Sequence, residues 1–242
     1  MIRIDNRKAD ELRPVTITPG FIPSADGSVL MECGRTRVIC TATLEDKVPP
    51  FRLETGLGWV HAEYGMLPGS TGRQRKPRPI LRQDGRAAEI QRLIGRSLRS
   101  VVDMALLGER TVTVDCDVIE ADGGTRTASV TGGFVALALA VRRHRKEVDL
   151  SDSPLLDHVA AVSVGLVQNK ALLDLCYTED SGAQADLNLV MTGKGGVVEV
   201  QGTAEGGPFS RRQLDELLAL GNKGIRELIR AQKRALGEDP GR

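Results

Sequence analysis

Between Thr111 and Lys146 a strand pattern breaks at two adjacent glycines and resumes as a long apolar helix, and this stretch constrains the fold more than any other. Val112, Val114, Cys116 and Val118 alternate with Thr113, Asp115 and Asp117, the two-residue period of a strand with one buried face. The break reads Asp122-Gly123-Gly124-Thr125-Arg126-Thr127-Ala128-Ser129. Its glycines allow backbone angles closed to other residues and leave room for a ligand, while Thr125, Thr127 and Ser129 offer hydroxyls near a helix start. From Val130 to Val141 the chain is apolar nearly all round, which predicts a buried helix, with Arg142, Arg143, Arg145 and Lys146 at its basic C-terminal end. Free amides, a positive helix end and the Arg126 guanidinium together suit a phosphate. The same residues also suit an ordinary Gly-Gly turn leading into a capped helix.

Charge sharpens the first of these readings. The net charge is only +1, yet between Met66 and Arg99 nine basic residues face two acidic ones, Asp84 and Glu89, so that segment carries +7 and the remainder −6. Such local cationic density suits a polyanion, although basic runs also arise as solvated helix faces and loops. Aromatic residues make up 3% of the chain, too few for a base-stacking sheet, so a nucleic acid would be gripped through its backbone phosphates.

The 242 residues are 40% apolar, enough for a sizeable core in a soluble globular protein. No run of about 18 apolar residues predicts a membrane span, and the first residues lack the apolar centre of a signal peptide, so a cytoplasmic protein without membrane contact is expected. Cys33, Cys40, Cys116 and Cys176 fall in apolar strand patterns without close pairing, as buried reduced thiols do. With only His61, His144 and His158, a histidine-rich metal centre is not expected.

In chain order, Val15–Thr18, Ser28–Cys33 and Thr36–Leu44 read as strands of a meander, and Gly56–Met66 as another. Residues 68–82, with prolines at 68, 77 and 79, predict an irregular basic loop. Helical spacing of apolar residues runs from Ala87 to Ala105, with Arg92, Arg96 and Arg99 on the other side. Val159–Val167 and Ala171–Cys176 predict a strand pair, Leu187–Thr192 and Val197–Thr203 two more strands, and Ser210–Leu236 a helix capped by Ser210 and Gln213. Asp174 lies within the second strand of that pair, and Glu179, Asp180 and Asp186 follow it before Leu187. Asp180 and Asp186 flank a small-residue turn, where two carboxylates can converge on a magnesium ion or simply stand on the surface.

Several of these runs occur together in one known family. Glu63-Tyr64-Gly65-Met66-Leu67-Pro68, Gln83-Asp84-Gly85-Arg86, the stretch Glu89 to Arg99, the stretch Asp115 to Ala128, and Glu179-Asp180-Ser181 stand in an order that resembles the ribonuclease PH family along essentially the whole chain. Polynucleotide phosphorylase and the exosome ring subunits are its larger relatives. The resemblance implies a single-domain α/β (α+β) fold over residues 1–242, a two-layer βαβ-type core of the ribosomal protein S5 domain 2-like kind, assembled as a homohexamer, a trimer of dimers. It also implies phosphorolysis, in which inorganic phosphate attacks the last phosphodiester at an RNA 3′ end and releases a nucleoside 5′-diphosphate, with transfer RNA precursors as the main substrate among RNA 3′ ends.

Carried onto this sequence, Arg86, Gly124, Thr125 and Arg126 would bind phosphate. Asp180 and Asp186 would hold Mg2+ or donate the leaving-group proton. Arg73, Arg75, Lys76 and Arg78 would grip the transfer RNA body. This chain departs from the family in having Gly69 where an arginine is usual after Leu-Pro, and a stiff Pro77-Arg78-Pro79-Ile80-Leu81 segment in the loop. A catalytically silent RNA-binding ring subunit is the alternative, and such subunits lose the phosphate arginines or the acidic pair that are present here.

Overall fold

A computed structural model of the chain describes residues 3–72, 75–77, 85–148 and 152–238, apart from the side chains of residues 146–148. Strands β1 (Val15–Pro19), β2 (Gly27–Cys33), β3 (Thr36–Glu45), β4 (Trp59–Met66) and β5 (Thr111–Glu120) form one sheet in the order β1-β2-β3-β5-β4. The meander pairs antiparallel. β4 and β5 instead run parallel, because helix α1 (Gly85–Arg99) carries the chain back between them. A second, antiparallel sheet is built from β6 (Val159–Val167), β7 (Lys170–Leu173), β8 (Ala185–Thr192) and β9 (Val197–Ala204) in the order β7-β6-β8-β9. Four further helices complete the mixed α/β architecture: α2 (Met104–Leu107), α3 (Thr125–Val148), α4 (Tyr177–Asp180) and α5 (Arg211–Ala235).

The apolar helix expected after the glycine break is α3, and its position explains its composition. It packs on β2 and β3 of the first sheet and on β6 of the second, so nearly every face is buried, Phe134 and Leu137 completely. Burying such side chains stabilises by about 1.5–3 kcal/mol each. Close approach to the first sheet needs Gly132, where a Cβ would stand 2.8 Å from Met31 Cβ and 2.9 Å from Cys40 Sγ. Residues of both sheets and α3 belong to one continuous hydrophobic core. Helix α5 covers the second sheet and is opened by the Ser210 and Gln213 capping box. All four cysteines are free and buried. Among the described residues, no helix is long and apolar enough to cross a membrane.

Two expected elements end early. Apolar spacing continues to Ala105, but α1 stops at Arg99, because Val102 bridges to Leu155 and the Asp103 side chain accepts from the amides of Ala105 and Leu106 to start α2. The strand expected over Ala171–Cys176 stops at Leu173, because Asp174 takes a left-handed φ of 54°, which aspartate tolerates better than most residues.

Candidate active site

Five segments converge on a cleft of about 840 Å³ between the two sheets. β5 delivers the chain to the glycine break, where Gly123 and Gly124 have φ of 78° and 66°. That turn lets α3 begin at Thr125, and Gly124 accepts from the Ala128 amide at 3.0 Å. The first turn of α3, the first turn of α1, the end of α4, the start of β8 and the middle of β9 then place Arg126, Arg86, Asp180, Asp186 and Gln201 around one space. Gly124, Thr125 and Lys76 line it as well. The structure therefore brings together the residues expected to bind an anion at the starts of α1 and α3, the expected acidic pair, and one basic residue of the loop.

Arg126 is held rather than left to swing. Its Nη1 donates to Glu89 Oε1 at 3.2 Å and to Gln201 Oε1 at 2.7 Å, while Gln201 Nε2 donates to the same Glu89 oxygen at 2.8 Å. Among the described residues no hydrogen bond occupies its Nε and Nη2 edge, the planar fork that receives two oxygens of a phosphate. Tyr64 and Thr125 share a hydroxyl hydrogen bond of 2.9 Å across the opening of α3. Burial pushes the Tyr64 hydroxyl above its ordinary range, although the bond to Thr125 and the charges of Arg86 and Arg126 pull against it.

Asp180 and Asp186 both bind protons more tightly than ordinary carboxylates. For Asp180, burial is the main cause and the Asp186 charge adds to it, against the pull of Arg126 and Arg86. For Asp186, burial again leads, with Arg126 lowering and Glu205 raising. Asp180, exposed to the open cleft, and Asp186, half-buried, face arginines and can retain a proton or gain a cation. Among the described residues no set of three or more metal-binding side chains gathers. Magnesium, however, is satisfied by one or two carboxylates with waters and phosphate oxygens, and this donor set fits it.

Asp174 and Glu179, close to the acidic pair in the chain, stand outside the cleft, because buried arginines engage both: Arg13 with Asp174 at 2.6 Å and Arg3 with Glu179 at 2.6 Å. Thr127 and Ser129 use their hydroxyls at the helix start, donating to Gly124 O and Thr125 O of their own turn. Of the basic loop, Lys76 lines the cleft and its amide donates to Pro68 O at 2.9 Å, while Arg75 is exposed outside it. Arg73 and Arg78 lie outside the described residues. The residues missed from sequence are Glu89, Gln201 and Tyr64. Glu89 had a usable signal, since it follows Arg86 by three residues on the same helix and so faces the same side. Gln201 comes from β9, far along the chain, with no local mark.

An arginine fork, a helix start and a carboxylate pair around one cleft are the parts of a site for phosphoryl transfer. The models of the 3′ exoribonuclease family match in two parts, domain 1 over residues 11–142 and domain 2 over residues 157–224. Ribonuclease PH of Neisseria gonorrhoeae is 57% identical over 232 residues, 96% of each chain, and that of Neisseria meningitidis serogroup C is 57% identical over 236 residues, 97% of each. In fold the chain is similar to rice Rrp46, with a TM-score of 0.78 at 16% identity over 97% of this chain and all of that one. It is also similar to the Archaeoglobus fulgidus exosome with RNA bound to the active site, with a TM-score of 0.76 at 26% identity over 94% and 91%. The chain belongs to the ribonuclease PH family of phosphorolytic 3′–5′ exoribonucleases, for which inorganic phosphate is the co-substrate.

Proposed function

We propose that this enzyme trims the 3′ ends of transfer RNA precursors and other RNAs as a cytoplasmic homohexamer. Arg86, Gly124, Thr125 and Arg126 bind the inorganic phosphate. One of its oxygens attacks the phosphorus of the terminal nucleotide, the bond from that phosphorus to the preceding O3′ breaks, and the nucleoside diphosphate departs. The released O3′ takes a proton. Asp180 and Asp186, whose pKa values burial raises, are the groups placed to supply that proton or to hold magnesium. Bound magnesium would neutralise charge on the phosphate oxygens. The rest of the work falls to this chain's own groups: Glu89 and Gln201 orient Arg126, and the start of α3 directs its dipole at the anion. Arg73, Arg75 and Arg78 hold the body of the RNA, and Lys76, which lines the cleft, contacts the RNA phosphates there.

The observation that carries this reading is the meeting of Arg86, Arg126, Asp180 and Asp186 on one cleft from four separate elements. The test is a precursor transfer RNA with a 3′ extension, incubated with magnesium, with and without phosphate. Shortening coupled to stoichiometric nucleoside diphosphate, only when phosphate is present, is expected. Shortening to monophosphates without phosphate, or no action on the precursor while short RNA is degraded, would overturn the mechanism or the substrate respectively.

A further inference from the structure

Beneath the cleft, a buried arginine from the N-terminal segment joins the two halves of the site. Arg13 is 4% exposed. Its Nη1 donates to Asp122 O at 2.6 Å, at the head of the glycine break, and its Nη2 and Nε donate to Asp174 Oδ1 and Oδ2 at 2.6 and 2.9 Å. Its own amide donates to Asp174 Oδ2 at 2.8 Å. Asp174 opens the turn that leads through Cys176 to α4 and Asp180. The left-handed Asp174 is fixed there by Ser163, whose carbonyl accepts from the Asp174 amide and whose hydroxyl accepts from the Leu175 amide.

The two segments also touch directly. A Cβ on Gly123 would stand 2.7 Å from Leu175 O and 2.8 Å from the Tyr177 amide nitrogen, so the anion loop lies with its backbone against the turn that carries the acid. Thr36 closes the other side, donating to Gly123 O at 2.6 Å and accepting from the Asp122 amide at 2.9 Å. Buried ion pairs add little stability over a well-packed apolar replacement, so a pair bridging two functional segments is better explained by the geometry it imposes.

We propose that Arg13 and Asp174 are a positioning pair: they fix the anion loop at Asp122–Arg126 against the turn bearing Asp180, and so set the distance between the attacking phosphate and the acidic pair. This rests on the roles given above to Arg126 and Asp180. Neither residue reaches the cleft, so both act through the segments they hold. Arg3 supplies an internal control. It engages Glu179 through Nε and Nη2 and the backbone carbonyls of Leu173 and Asp174 through Nη1 and Nη2, but makes no bond to the anion loop.

The experiment compares Arg13→Lys, Asp174→Asn and Arg3→Lys in the full chain on a short unstructured RNA, with rates expressed per folded protein. Asparagine tolerates the left-handed backbone at position 174, and lysine keeps the charge at position 13 while losing the fork. Arg13→Lys and Asp174→Asn are expected to raise the phosphate KM about tenfold and lower kcat on the order of 10²-fold, because misplacement of about 1 Å costs that much. Arg3→Lys is expected to lower kcat while the phosphate KM stays within about twofold. Wild-type KM and kcat in folded Arg13→Lys and Asp174→Asn would overturn the pair's role.

Arg126→Ala run alongside separates the two levels. Unchanged phosphate saturation there overturns the site reading itself, whereas a raised KM there with normal Arg13→Lys and Asp174→Asn overturns only the positioning pair. Should neither cluster variant fold, amide hydrogen exchange of the unaltered protein decides. Joint protection of residues 122–126 and 174–180 on adding phosphate supports the coupling, and protection of residues 122–126 alone rejects it.

Discussion

Glu89 places a carboxylate oxygen 3.2 Å from Nη1 of Arg126, on the opposite side of the guanidinium from the edge left for an anion. The contact both aligns the arginine and sets a negative charge beside the proposed phosphate site, and the two effects separate by substitution. Glu89→Gln keeps an acceptor for Nη1 and removes the charge, so the phosphate KM should fall about two- to fivefold, the range of a half-exposed ion pair. Glu89→Ala frees the guanidinium, so its KM should rise instead. Steady-state phosphate titrations of the two variants check this, and shifts in the same direction would reject the division of roles.

Arg126 and Arg86 are expected to matter more. Replacing either by alanine removes a charge-assisted contact worth about 1.5–3 kcal/mol, which is a rise of roughly ten- to 150-fold in the phosphate KM. Circular dichroism should show the fold intact. Phosphate saturation curves that match wild type in both variants would remove these residues from the anion site.

How much of this was legible in the sequence depends on the distance between partners. The break after β5 was legible because alternation, paired glycines and an apolar helix all lie within one continuous stretch, and α3 appears where they place it. Burial on both sides of α3 was equally legible, since residues from Val130 to Val141 leave no polar face. The fate of Asp174 was not. It stands near Asp180 in the chain and reads as one of the same acidic group, but its partner Arg13 is 161 residues away and nothing local announces the pair. The end of α1 is hidden for a related reason: Val101 and Val102 keep the helical spacing, and the bridge to the distant Leu155 turns them away.

Acid should expose the buried pair at Asp174. Burial pushes this carboxyl up, but the hydrogen bonds and charge of Arg13 outweigh it and hold the group below its ordinary value of 3.8. The folded protein thus binds this proton less readily than the unfolded chain. The resulting stability is fully present above the unfolded value and is lost as pH falls through the lower folded value. Denaturant melts should therefore lose stability below about pH 4, and Asp174→Asn, costing about 3–5 kcal/mol at neutral pH, should lose less on further acidification. An equal acid slope in both proteins would assign the loss to other carboxylates.

The two described cations of the basic loop should behave differently. Arg75 is exposed away from the cleft, whereas Lys76 lines it. Arg75→Ala is expected to weaken precursor transfer RNA and flatten its salt dependence by about one counterion, leaving short RNA unaffected. Lys76→Ala should weaken both. Affinities measured across a salt series on both RNAs distinguish them, and equal losses from Arg75→Ala on the two substrates would place that residue at the active site.

The arginine stripe of α1 divides in the same way, and with it the test of the ring. Arg99 donates to Val60 O at 2.8 Å and lies 4.4 Å from the centre of the Trp59 ring, and Arg96 pairs with Glu199 on β9 at 2.7 Å, so both have work within the subunit. Arg92 is exposed and donates only to Ala88 O of its own helix among the described residues. Arg99→Ala should lower the thermal midpoint through the lost stacking and hydrogen bond, each about 0.5–1.5 kcal/mol. Arg92→Ala should change subunit stability by no more than about 0.5 kcal/mol. If light scattering nevertheless shows smaller assemblies for Arg92→Ala at an unchanged midpoint, the loss lies between subunits, and processing of folded RNA should fall while phosphate binding persists. A full-size assembly in Arg92→Ala would return this residue to the solvated face and leave the proposed ring to rest on other contacts.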